Sequence, residues 1–344
     1  MEMRSHISLK AFHTFGIEKY ARYFTEIHSI DELRGLLSDH AYRGVPKIFI
    51  GQGSNILFTR DVDGVVAKIA IHGIEKRDET DDYVWIRAGA GVIWDDLARY
   101  CVERGYYGIE NLSLIPGTVG AAPIQNIGAY GVEVADSVAD LDAVSTDDYQ
   151  VRRFFPDECR FGYRHSIFKD DLKGKYVIVN VTLKLDKRPT FQTQYHALRR
   201  WIDGNTARYP SLNMKTIRQA VTEIRQDKLP DPARFGNAGS FFKNPQISTE
   251  KSRQLLVDYP QIPLYTASEN TSGNTVKVAA GWLIEQCGWK GKRVGDAGVY
   301  EKQALVLINH GRANGADIMA LAEQIRASVK EKFAIRLEFE VDIQ

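Results

Sequence analysis

The stretch from Pro116 to Gly131, PGTVGAAPIQNIGAYG, constrains this chain more than any other. It carries no charge and little bulk, in a sequence where 26% of residues are charged. Gly117, Gly120, Gly128 and Gly131 permit positive φ or close backbone approach. Thr118, Gln125 and Asn126 add neutral hydrogen-bonding groups. Two readings are open: a tight turn cluster packing two sheets, or a cradle whose backbone amides hold a pyrophosphate without Lys or Arg. The density of small and amide residues favours the cradle.

A second small-residue loop, Gly51-Gln52-Gly53-Ser54-Asn55, lies between the apolar runs Ile48–Ile50 and Ile56–Phe58. It reads as strand, sharp turn, strand. Ile56 stands where a dinucleotide fingerprint needs its third glycine, and no Gly-Lys-Ser/Thr follows to make a P-loop. Alone it is weak. Beside the 116–131 run it strengthens the cradle, because a long dinucleotide needs several backbone contacts.

The 344 residues suffice for two or three domains. A net charge of +1 with well-mixed signs marks no surface for nucleic acid or an anionic membrane. The three cysteines, Cys101, Cys159 and Cys287, are far apart and suit a reducing compartment better than a disulfide framework or structural zinc. No histidines pair at i, i+4 and no apolar stretch is long enough to span a bilayer. A cytoplasmic, metal-free monomer acting on small molecules is expected.

Strands are expected at Lys47–Ile50, Val65–Ile71, Tyr83–Ala88, Val138–Ser145 and Tyr176–Leu185. Helices are expected at Ile30–Leu37 (with Ser29 as N-cap), Trp94–Arg104, Tyr195–Ile202, Met214–Gln226, Thr249–Tyr259, Val276–Cys287 and Gly315–Phe333. The texture changes from strand-rich to helix-rich near 188, dividing the chain into 1–188 and 189–344. At the C-terminus Ile335, Leu337, Phe339, Val341 and Ile343 alternate with polar residues, which puts Glu338 and Glu340 on one face of a strand. Alternation cannot choose between them, and a solvated face is the default.

Two segments offer further chemistry. Arg160–Lys169 packs basic and aromatic groups between strands, and an arginine there can clamp a carboxylate with its planar fork; an ordinary surface loop is equally compatible. Asn237–Pro245 sets Ser240 between a small-residue turn and two phenylalanines. Its hydroxyl can deliver a proton, but it lacks the context of a Ser-His-Asp nucleophile.

Taken together, in this order and spacing, GQGSN at 51–55, the 116–131 run, YRHSIFK at 163–169, KLPDP at 228–232, GSFFKNP at 239–245 and LEFEV at 337–341 resemble the UDP-N-acetylenolpyruvoylglucosamine reductase family over essentially the whole chain. The segment around Tyr195 resembles the family's longer form, with a tyrosine-bearing loop. The resemblance implies an α+β fold: a vanillyl-alcohol-oxidase-like (PCMH-type) FAD-binding domain of two α/β subdomains, followed by a C-terminal α+β substrate-binding domain. It implies non-covalent FAD against Gly51, Gly53, Ser54, Asn55, Pro116, Gly117, Gly120, Gln125, Asn126, Gly128 and Tyr130, with NADPH as reductant. It carries the proton donor to Ser240, the substrate-polarising pair to Arg164 and Glu340, and the uridine diphosphate contacts to Tyr195, Lys228, Asn244 and Gln303.

The sequence departs from the family's usual pattern at His13, where Asn is common, and at Phe339, where Pro is common. Phe339 is expected to bear on how Glu340 is presented, and fraying is expected to matter so near the C-terminus. Two other classes stay open at this point: an FAD oxidase passing electrons to oxygen, and a sugar-nucleotide sensor without turnover. Neither gives Ser240 a purpose.

Overall fold

The computed structural model describes residues 1–266 and 275–344. They group into two compact units. Met1–Ile7, Ala21–Gln52 and Asp63–Asp227 form the first, and Ser8–Tyr20, Gly53–Val62 and Lys228–Gln344 the second. The change of texture near 188 follows the end of strand Tyr176–Asp186, whereas the contacts keep 189–227 with the first unit.

The first unit holds two larger sheets and a two-stranded one, Gly128–Ala129 with Val132–Glu133. In one, the order is Arg4–Ser8, Tyr20–Ile27, Val62–Ile69, Lys47–Ile50, the last two strands running parallel. Helix Ile30–Ser38 begins at Ser29, whose hydroxyl accepts the Glu32 N–H at 3.1 Å. Its Leu33, Leu36 and Leu37 fall on one stripe and pack with Ile27, Val65, Ala67 and Ile69. Each such burial contributes about 1.5–3 kcal/mol. The other sheet is antiparallel, ordered Val151–Phe154, Val138–Ser145, Tyr176–Asp186, Tyr83–Gly89, Ile74–Glu79.

Helix Trp94–Arg104 has the bounds its periodicity predicts and stops at Gly105, which takes the left-handed φ of 75°. Its Trp94 Nε1–H donates to the Leu112 carbonyl at 2.9 Å, fixing the chain just before the glycine-rich run. From helix Met214–Lys228, Arg218 grips Asp95 with both terminal nitrogens at 2.7 and 2.8 Å. Burial alone would raise the Asp95 carboxyl; the Arg218 fork and the Leu114 N–H outweigh it and hold the group below its usual range.

The second unit is built on a sheet ordered Gly236–Ser240, Val306–Asn309, Ala297–Val299, Arg293–Val294, with a smaller sheet of Gln246–Ser248, Thr275–Val278 and Leu264–Thr266. Helix Gly315–Phe333 covers the core with Ile318, Leu321, Ile325, Val329 and Phe333, as its spacing predicts. Asn314 caps it by accepting from the N–H groups of Ala316 and Asp317.

Three expectations need correction. The helix expected over Val276–Cys287 starts only at Ala280, since the β-branched Thr275-Val276 pairs as a strand with Gln246–Ser248. Arg4–Ser8, Tyr20–Ile27 and Ile74–Glu79 are strands hidden in the sequence by frequent charges on exposed faces. The C-terminal alternation does not make one long strand: only Asp342–Ile343 is a strand, parallel to Ile56–Leu57. Residues 338–340 turn instead to a different partner, so Glu338 is exposed and Glu340 half-buried.

His13, in the second unit, is 5% exposed. Its Nε2 lies 3.0 Å from the Ile17 carbonyl, which only accepts, so Nε2 carries the proton. Nδ1 meets no partner among the described residues. Burial pushes the imidazole below its ordinary value of 6.5, against the opposing pull of that carbonyl. A histidine held neutral contributes stability that is complete above 6.5 and lost as pH falls below it. Melting temperature should therefore drop more between about pH 8 and about pH 5.5 in the native chain than in His13→Asn. Equal drops in both proteins would show that His13 does not supply the dependence.

Candidate active site

The glycines of the 116–131 run serve the protein's own packing. The N–H groups of Val119 and Gly120 donate to the carbonyls of Val92 and Ala90, and Gly117 O accepts from Trp94 N. The run thus lies strand-like along residues 90–94. A Cβ on Gly120 would stand 2.5 Å from Ala90 Cβ. One on Gly51 would stand 2.2 Å from Thr118 Oγ1. Gly117 and Gly131 take positive φ, at 125° and 86°. The amide supply is smaller than the sequence suggests: Gly117, Val119, Gly120, Ala121, Ala122, Asn126 and Ile127 all donate inside the unit.

Side chains complete the cradle. Gln52 Oε1 accepts the Gly117 N–H at 2.8 Å, tying the upstream loop to the run. Asn126 Nδ2 donates to Glu133 and to the Gly162 carbonyl, and its Oδ1 accepts the Ala135 N–H. Gly162 and His165 exchange two backbone hydrogen bonds, making a tight turn with Tyr163 and Arg164 at its tip. Ser166 Oγ anchors that turn to Ile124 O at 2.6 Å. Arg164 bends back, donating from Nη2 to Gly128 O at 2.6 Å. Sequence thus placed the 116–131 run and Arg164 far apart, and the fold brings them together.

The backbone here is strained. Asn126, Tyr130 and Arg164 have φ of 46°, 49° and 53°, a region non-glycine residues rarely enter. Tyr130 meets Tyr195 edge to face at 5.4 Å between ring centres. Burial raises the Tyr130 hydroxyl, with the positive charge of Arg225 opposing. Sequence reasoning did not single out Arg225. It is held by Nε to the Leu114 carbonyl at 3.2 Å, and burial lowers its guanidinium. Its only advance signal is its place on the apolar helix Met214–Lys228.

In the second unit, Ser240 ends strand Gly236–Ser240. The register against Val306–Asn309 slips between Asn237 and Ser240, and Gly239 takes φ 69° inside that bulge. Ser240 Oγ makes no hydrogen bond with any described residue. Directly beyond it, Phe242 bridges Phe339, Lys243 N donates to Glu338 O, and Glu340 N donates to Phe241 O at 2.9 Å. This pairing draws Glu340 to the segment bearing Ser240. Glu338 points to solvent and meets Lys243 at 3.7 Å. The fold therefore separates two carboxylates that alternation had left equivalent.

Phe339 packs against Phe241 and Phe242, at 5.5 and 5.6 Å between ring centres. It anchors Glu340 rather than displacing it. Asn55 Nδ2 donates to the Glu340 carbonyl at 3.2 Å and Asn55 O accepts the Asp342 N–H at 3.0 Å. Thr59 then binds Gln344 O through both N–H and hydroxyl. The residues after Glu340 are tied down.

Asn244 and Gln303 meet at one place, the start of helix Ala280–Gln286. Asn244 Oδ1 accepts the Ala280 N–H at 2.9 Å, and Gln303 Oε1 lies 3.1 Å from where Gly281 would carry a Cβ. Lys228 is exposed at the end of helix Met214–Lys228.

These residues fit FAD. The run carries no charge and leaves its apolar Ile124 38% exposed in the first unit. Gly51, Gln125, Asn126, Gly128 and Tyr130 border that surface in the chain, and Ser54 and Asn55 stand half-buried in the second unit. Gly120→Ala should cost about 1–3 kcal/mol, because the new methyl meets a backbone-fixed Ala90 Cβ. A lower melting temperature and a reduced flavin-to-protein absorbance ratio after purification are expected. Unchanged values would show that the close approach is not needed.

Residues 21–153 match the model of an FAD binding domain, and residues 231–344 match the C-terminal domain of UDP-N-acetylenolpyruvoylglucosamine reductase. The chain is 48% identical to the UDP-N-acetylenolpyruvoylglucosamine reductase of Amoebophilus asiaticus, over 100% of this chain and 99% of that one. It is 44% identical to that of Bacteroides fragilis, over 99% of both chains. In fold it is similar to the crystal structure of the Thermus caldophilus reductase, with a TM-score of 0.69, 24% identity and 99% of each chain covered. The α+β fold with an FAD-binding domain is thereby established. The chain belongs to the UDP-N-acetylenolpyruvoylglucosamine reductase family and is an FAD-dependent oxidoreductase.

Proposed function

We propose that this enzyme reduces the enolpyruvyl ether of UDP-N-acetylglucosamine to UDP-N-acetylmuramate, a peptidoglycan precursor, with NADPH as reductant. The observation that carries the reading is the backbone pairing that sets Glu340 beside Phe241, the residue next to Ser240. FAD held against the 116–131 run would supply hydride transfer between NADPH and the terminal carbon of the enolpyruvyl group.

The residues supply what a redox cofactor does not. As hydride arrives, negative charge develops on the neighbouring carbon and spreads into the carboxylate. The Arg164 guanidinium is the fixed donor for that charge, and its hydrogen bond to Gly128 O preorganises it. Ser240 Oγ–H gives a proton to the carbon bearing the carboxylate. A serine hydroxyl is a weak acid and protonates only a strongly basic centre. It is ready to do so here because its proton is not committed to an acceptor among the described residues. Glu340 completes the pair as the carboxylate that shares in this proton network. Tyr195, Lys228, Asn244 and Gln303 hold the diphosphate and uridine, Lys228 through charge and the two amides through neutral hydrogen bonds.

An anaerobic titration tests the reading. NADPH should bleach the flavin absorbance, and one equivalent of the enolpyruvyl substrate should restore it. Restoration by oxygen alone would assign the protein to the oxidases instead. Within the same experiment Ser240→Ala should leave bleaching almost unchanged and slow restoration by about two to four orders of magnitude. Loss of both steps to the same degree would remove Ser240 from its role as proton donor.

A further inference from the structure

We infer that Thr14 is a positioning residue for the proton donor, acting by clamping the bulge that aims Ser240; the inference rests on the role of Ser240 proposed above. Thr14 Oγ1 donates to the Asn237 carbonyl at 2.6 Å, and the Asn237 N–H donates to Thr14 O at 3.1 Å. Asn237 is 4% exposed, and its side chain holds the turn from within: Nδ2 donates to Phe235 O at 2.8 Å and Oδ1 accepts the Gly239 N–H at 2.9 Å.

The strand needs such a clamp. Between Asn237 and Ser240 it leaves its register with Val306–Asn309, and no other described residue comes within 4 Å of where a Gly239 Cβ would stand. Packing therefore does not fix the bulge at that point. A one-residue slip would turn Ser240 to the opposite face of the sheet. The Thr14 hydroxyl satisfies the Asn237 carbonyl, which the Asn237 side chain does not reach.

Thr14 also ties this clamp to the loop of 53–55. Its N–H donates to Gly53 O at 3.0 Å, while its hydroxyl is 3.4 Å from the same oxygen. The hydroxyl has one proton, and the shorter contact takes it. Backbone thus holds Gly53 and side chain holds Asn237. With Asn55 bound to Glu340 O, and Glu340 N to Phe241 O, hydrogen bonds and the short chain lengths 237–241 and 53–55 close a ring: Gly53, Thr14, Asn237, Ser240, Phe241, Glu340, Asn55. Proton donor and carboxylate are spaced by that ring.

Because the two links use different atoms, substitution separates them. Thr14→Val keeps volume and backbone but removes the hydroxyl; Thr14→Ser keeps the hydroxyl. In the holoenzyme, Thr14→Val should slow substrate-driven restoration of the flavin absorbance at least about tenfold more than it slows bleaching by NADPH, and Thr14→Ser should stay within about threefold of the native enzyme in both. Backbone amide exchange over 236–241 should rise in the valine variant at unchanged flavin content. Equal slowing of both steps, or serine behaving like valine, would overturn the inference. If the native enzyme itself fails to respond to the substrate, the proposed reaction is wrong, and amide exchange alone decides the clamp. Should Thr14→Val melt too low to assay, Thr14→Ala is measured in the same way.

Discussion

The pairing of Phe242 with Phe339 is the contact on which the part of the second unit that bears Ser240 and Glu340 depends. Neither strand is long. Strand Gly236–Ser240 has already slipped out of register, and the segment at 338–340 meets it through this bridge and two flanking backbone hydrogen bonds. The aromatic rings do the holding: Phe15, Phe241, Phe242 and Phe339 meet edge to face or tilted, and Arg326 lies over Phe339 at 4.6 Å. Such pairs add about 0.5–1.5 kcal/mol each beyond the area they bury. Polar residues that must be placed accurately are thus carried on a backbone fixed by apolar ones.

The first unit solves its placement problem differently. There the functional loop is fixed by close backbone approach and by buried amide side chains. Asn126 links three backbone or side-chain partners at once, and the price of that geometry is a left-handed backbone at Asn126, Tyr130 and Arg164. Asp95 supports the same region from below, accepting the Leu114 N–H while Arg218 neutralises it.

Much of this was legible in the sequence. Helices Trp94–Arg104 and Gly315–Phe333 could be bounded because their apolar residues repeat cleanly and their ends carry a glycine or an asparagine cap. The 116–131 run was recognisable as a loop of special geometry, although its glycines and most of its amides turn out to be spent on internal packing. Strands such as Ile74–Glu79 were not legible, since a strand with one solvated face and five exposed residues in succession shows no apolar rhythm. The different burial of Glu338 and Glu340 comes from a change of partner strand, which no local pattern records. Thr14 and Asn237 were invisible for a related reason: their importance lies in a contact between residues 223 positions apart.

That separation has a kinetic side. The second unit is assembled from Ser8–Tyr20, Gly53–Val62 and everything after Lys228, and its parallel pair joins Ile56 to Asp342. Loop-closure entropy must be overcome before any of those contacts gives a return, so folding that depends on them is slow. During synthesis the first two segments emerge long before their partners exist. They carry apolar residues such as Phe15, Ile17 and Leu57 that stay uncovered until the rest of the unit arrives. The first unit gathers its 63–227 stretch much earlier, so the order of translation leaves the segments that bear Ser240 and Glu340 to be set in place last.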